Sequence, residues 1–140
     1  MLKNFLVIFL SFLCISQAQA LEKSLVDLDK TFWGKWTLIN VKNSCSEKFE
    51  FKKPNSFIYQ ANKKNMDGDF IVFRNSDEKI LDLLILDIKN DNGGTGCGSD
   101  NNNYQGKKSN FFLKWLSPTS AELCMDNTGK QCTGLYLNKR

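Results

Sequence analysis

The chain contains no histidine. That absence removes the usual general base near neutral pH, the Ser-His and Cys-His nucleophile pairs, and the commonest transition-metal ligand. Proline is nearly absent, with only Pro54 and Pro118, so no proline-rich linker divides the chain. No Cys-x-x-Cys occurs, which excludes a thioredoxin-type couple and a zinc knuckle. The lysines are scattered, and a formal charge of +4 is too small and diffuse to point to nucleic acid. Past the N terminus no apolar run reaches membrane-spanning length, because Asp82 and Asp87 interrupt the best candidate, Ile80 to Ile88.

What is present begins with a targeting pattern. Met1-Leu2-Lys3-Asn4 forms a short positive region, Phe5 to Ile15 an apolar core too short to span a bilayer, and Ala18-Gln19-Ala20 a small-x-small cleavage site. Residues 1–20 therefore read as a secretory signal peptide, and 21–140 as one domain placed in the periplasm or outside the cell. Cys14 suggests a lipid anchor less well, since Phe12 and Leu13 stand where small residues belong. Cleavage leaves Cys45, Cys97, Cys124 and Cys132, which in an oxidising compartment imply two disulfides. Of three connectivities, the Asn127-Thr128-Gly129 turn favours Cys124 with Cys132, and hence Cys45 with Cys97. If Leu123 and Met125 face inward, alternation aims Cys124 at the outer surface.

Leu21, Leu25, Leu28 and Phe32 fall on one helical face, with Ser24 and Asp27 spaced as a capping box, predicting a short helix over 21–32. Gly34 then turns the chain into a strand with Trp36 and Leu38 on one face and Thr37, Ile39 and Val41 on the other. Lys48 to Lys52 and Ser56 to Gln60 alternate in the same way, joined at Pro54-Asn55. Asn65-Met66-Asp67-Gly68 reads as a hairpin turn ahead of a strand at Asp69 to Arg74. Lys79 to Lys89 fits either a buried helix or a strand apolar on both faces, and its β-branched residues favour strand. Phe111 to Trp115, Ala121 to Met125 and Gly134 to Asn138 complete about eight strands, the number of a small closed antiparallel barrel. The polar run Asn90 to Asn110 is too hydrophilic for core. A loop of that length is either functional or flexible, and Cys97 suggests a tether.

Asp29-Lys30-Thr31-Phe32-Trp33-Gly34-Lys35-Trp36 resembles the first signature of the lipocalin and calycin barrels, where a helical turn precedes Gly-x-Trp on the first strand. Leu135-Tyr136-Leu137-Asn138-Lys139-Arg140 is similar to the closing strand and basic residue of small bacterial lipocalin-like domains. The resemblance implies structural roles for Gly34, Trp36 and Arg140, with Lys139 or Arg140 laid across the Trp36 ring, and a barrel that binds hydrophobic molecules. A second family signature, Thr-Asp-Tyr, is missing.

No catalytic residue, metal site or cofactor is expected, and the protein is read as a non-enzyme. Asp67 with Asp69, and Glu47 with Glu50, fall in a turn or on a polar strand face, where solvation accounts for them. Gly93 to Ser99 lacks the Gly-Lys-Ser/Thr ending of a phosphate loop, and Asp87, Asp91 and Asp100 lack the EF-hand pattern. The candidate ligand-binding set is Phe49, Phe51, Phe57, Tyr59, Phe70 and Trp115, inward-facing rings that either fill a small barrel or line an apolar pocket. The expected partner is a small hydrophobic molecule, for a monomer with no membrane span. The alternative is an envelope protein, engaged by an inhibitor or immunity factor that presents the 90–110 loop on a filled scaffold.

Overall fold

The computed structural model describes residues 21–43, 45–98 and 101–140; the expected signal peptide and Asp100 lie outside the described residues. The strands are β1 (Gly34–Asn40), β2 (Ser46–Lys52), β3 (Ser56–Ala61), β4 (Lys64–Phe73), β5 (Asp82–Asp91), β6 (Lys108–Ser117), β7 (Ser120–Cys124) and β8 (Cys132–Lys139). Each pairs antiparallel with its sequence neighbours, and β8 returns to β1, so the sheet closes as an eight-stranded up-and-down barrel. Period-two alternation produces this wall. Trp36, Leu38, Phe49, Phe51, Phe57, Tyr59, Leu113 and Trp115 point inward and are buried, while their sequence neighbours face out.

The segment 79–89 is strand from Asp82 onward, as part of β5, and a turn before it. Leu84, Leu86 and Ile88 face the interior, while Leu83 and Ile85 lie outward opposite Phe73, Ile71 and Phe112. The apolar residues on both faces thus belong to an inner core and an outer apolar row.

Three expectations need correction. Asn65 to Gly68 is part of β4, and the β3–β4 turn falls earlier, at Asn62-Lys63, where Asn62 takes the left-handed conformation at φ 52°. Gly68 is required for another reason. It marks a register shift against β5, where a Cβ would collide with the Asp87 carbonyl oxygen. Met125 is exposed, beyond the end of β7.

Nor does the N-terminal segment form one helix. It makes a 3₁₀ turn at Lys23–Leu25 and a single α turn, α1 (Leu28–Thr31), capped by the Asp27 carboxylate rather than through Ser24. Leu25 points to solvent and Val26 is fully buried instead. Extended backbone at Val26 separates the two turns. The Arg74 Nη1 bond to the Val26 carbonyl, at 2.8 Å, takes an acceptor a continuous helix would use internally. The buried Lys23 ammonium donates to the carbonyls of Asn75, Asp77 and Ile80 at 2.6–2.7 Å, fastening the segment to the 74–81 loop. Phe32 follows into the core against Phe51 and Phe70, plugging this end of the barrel. Just above it, buried Asp82 accepts from Arg74 Nε and Nη2 and from Trp115 Nε1.

Both disulfides form as paired above, Cys45–Cys97 and Cys124–Cys132. Leu123 faces in and Cys124 lies on the outward row opposite Phe112. Cys124 is nonetheless buried, and beside it the 125–131 loop folds back on the outer wall, with Asn127 O accepting from Leu81 N. The Asp126 carboxylate organises that loop through the Thr128 hydroxyl and the N–H groups of Thr128, Lys130 and Gln131. These bonds hold it well below the usual carboxylate range.

Candidate functional site

Phe32, Trp36, Phe70 and Trp115 occupy the interior at the plugged end. Between these rings and the 92–107 loop lies a cavity of about 310 Å³, large enough for about ten waters at liquid density. One stretch of wall is aromatic, from Phe49 and Phe51 of β2 and Phe57 and Tyr59 of β3; beyond β4 it becomes aliphatic, with Leu84, Leu86 and Ile88 of β5. Strand pairing explains the aromatic wall. Phe49 lies directly opposite Tyr59, and Phe51 opposite Phe57, so the rings interlock at 4.9 Å for Phe49 with Tyr59 and 5.6 Å for Phe49 with Phe51.

Of the six expected ligand residues, four line this space. Phe70 and Trp115 do not. Phe70 packs among Phe32, Trp33 and Phe51 in the plug, and Trp115 sits 6.5 Å from Trp36 while donating to Asp82. Both rings point inward as alternation requires, but at the level where the N-terminal segment fills the barrel.

The polar loop has become a cover. It is shorter than 90–110, because β5 runs to Asp91 and β6 starts at Lys108, and its Gly96, Cys97 and Tyr104 line the cavity. The Cys45–Cys97 bond ties it to the β1–β2 connection, and Lys63 N donates to Thr95 O at 3.0 Å. Asp91 anchors its base by accepting from Gly93 N and Tyr104 N, both at 2.8 Å. Burial works to raise the Asp91 pKa, but those two N–H groups and Lys64 outweigh it and hold the carboxyl below its usual range.

Two charged side chains line the cavity. Lys64 is buried, with Nζ 3.2 Å from each Asp91 carboxylate oxygen and 2.7 Å from the Asn102 carbonyl. Three acceptors match its three protons. Glu47 is the second, accepting a hydrogen bond from the Tyr59 hydroxyl. Burial pushes its carboxyl above the ordinary value, and the Tyr59 bond opposes that shift. The sequence reading placed Glu47 on a solvated face. It stands two residues before Phe49 and four before Phe51, on the same side of β2, and that spacing was the available signal for an acid facing inward.

The chain matches no family model, no curated protein and no solved structure.

Gly34, Trp36 and the C terminus serve the plugged end instead. Gly34 takes φ 106° at the turn into β1. Trp36 is fully buried and donates from Nε1 to the Phe32 carbonyl at 2.8 Å. The cation over its ring is Lys139; Arg140 lies outside, bonding the Thr37 hydroxyl. Asp87 pairs with Lys89 and Asp91 with Lys64, and among the described residues no cluster of three His, Cys, Asp or Glu is placed to hold a metal ion.

Proposed function

We propose that this chain is a non-enzymatic, lipocalin-like binding protein of the periplasm or extracellular space that takes a small hydrophobic molecule into its barrel. The observation that carries this reading is the cavity, whose lining is mainly aromatic and aliphatic with a few polar groups, as small-molecule sites are. Its volume lies at the lower end of the range for such sites, about 300–1,000 Å³. Two disulfides suit an oxidising compartment.

A filled scaffold that presents the 92–107 loop to an envelope protein has less support. The interior is not filled, and three residues of that loop turn toward the cavity.

Native mass spectrometry of protein purified from its own host, followed by titration with a hydrophobic fluorescent probe, tests the binding reading. A co-purified ligand that the probe displaces with saturation is expected. No ligand and no saturable binding would overturn it.

A further inference from the structure

We infer that the cavity is selective for hydrophobic amines, with the ligand's ammonium group on Glu47 and its hydrocarbon portion among Phe49, Phe57, Leu84 and Leu86. This deepens the binding reading and rests on it.

The inference comes from counting what each cavity charge has left to offer. Lys64 is the residue that would meet a carboxylate or phosphate head, but its three protons already face Asp91 Oδ1, Asp91 Oδ2 and Asn102 O, and its charge is balanced by Asp91. An anionic ligand would have to break that buried ion pair, and leaving Asp91 buried without its partner is strongly unfavourable. Glu47 is in the opposite position. A carboxylate offers about four acceptor sites, and among the described residues Tyr59 alone donates to Glu47. With Lys64 and Asp91 cancelling, the net charge facing the cavity is that of Glu47.

The surrounding rings act in the same direction. Phe49 and Tyr59 meet edge to face at 4.9 Å and Phe57 lies 6.4 Å from Phe49, and these aromatic faces belong to the same cavity as the Glu47 carboxylate. Such faces attract an organic cation more strongly when water is excluded. An ammonium group would gain an ion pair and cation–π contacts together; an alcohol would gain a hydrogen bond alone, and a carboxylate would be repelled.

Calorimetric titration of the full chain near neutral pH with octylamine, octanol and octanoate tests this, because the three share one hydrocarbon tail. The expected order is octylamine tightest, by about tenfold or more over octanol, with octanoate weakest. The Glu47→Gln variant should lose about tenfold in octylamine affinity while octanol affinity stays within about twofold, and the retained octanol binding shows that the cavity is intact. Tyr59→Phe, which keeps the carboxylate, should preserve the preference for the amine. Octanol or octanoate binding to the wild-type chain as tightly as octylamine would overturn the amine assignment and leave the binding reading standing. Failure of all three to bind would overturn both.

Discussion

Lys139 lies over the indole of Trp36, with Nζ 5.9 Å from the ring centroid, and donates to the Thr31 carbonyl at 2.6 Å. One ammonium group thereby joins the last strand, the first strand and α1. Trp36 completes the arrangement through its bond to the Phe32 carbonyl.

Trp36→Ala should lower the unfolding free energy by about 3–5 kcal/mol, the range for truncating a fully buried large aromatic. Lys139→Ala should cost about 1–2 kcal/mol, from a cation–π contact and a charged hydrogen bond. Arg140→Ala should change stability by less than about 0.5 kcal/mol, since its side-chain bond is exposed. Urea denaturation of the three variants provides the measurement; equal losses at 139 and 140 would contradict the assignment of Lys139.

Asp82→Ala should cost about 3–5 kcal/mol, because it leaves the Arg74 guanidinium and the buried Trp115 N–H without their shared acceptor. Thermal unfolding monitored by tryptophan fluorescence would register the loss. A wild-type midpoint would show that the network contributes little.

The Cys45–Cys97 bond spans 52 residues and Cys124–Cys132 spans 8. Loop-closure entropy assigns them about 4 and about 2.5 kcal/mol, respectively. Replacing the first pair by alanine should therefore destabilise more, and should also speed probe release by freeing the cover. Replacing the second pair should leave release within about twofold of wild type. Stopped-flow dilution separates the two effects, and equal release rates would show that the 92–107 loop does not control access.

Glu47 gives a pH signature. Its carboxyl is raised from 4.5, chiefly by burial, so the folded chain holds that proton more tightly than the unfolded chain. The stability it confers is complete below its unfolded pKa and is lost as pH rises through the raised folded value. Glu47→Gln should therefore be more stable than wild type at about pH 7, with the advantage shrinking toward about pH 4. A pH-independent difference in denaturation midpoint would contradict the assignment of Glu47 as a half-buried acid with a raised pKa.

The barrel was legible because inward and outward residues alternate strictly on β1, β2, β3 and β6, and both disulfides followed from a turn and elimination. Where two local signals competed, the weaker-looking one prevailed. Asn65 to Gly68 has hairpin chemistry, yet Gly68 serves a close approach to β5, which no local pattern discloses. Leu25 fits a helical face but Val26 takes the core, because Lys23 and Arg74 bind backbone carbonyls contributed by and to distant segments. At the site, alternation placed all six rings inside but could not give their height, which separates Phe70 and Trp115 in the plug from the four that line the cavity. Lys64 shares the inward row of β4 with Met66, Gly68 and Phe70, whereas Tyr104 reaches the cavity through the folding of the cover, which the sequence does not specify by period.

The plug also imposes an order of assembly. Thr31 accepts a bond from Lys139, 108 positions later, and the Lys23 ammonium needs a loop more than 50 residues away. A chain made from its N terminus can thus fasten Lys23 once residue 80 is present, but must finish its last strand before Lys139 can hold Thr31. The barrel itself closes only when β8 pairs with β1, and Leu135 and Leu137 of that strand line the cavity, so the cavity as described exists only in the completed chain.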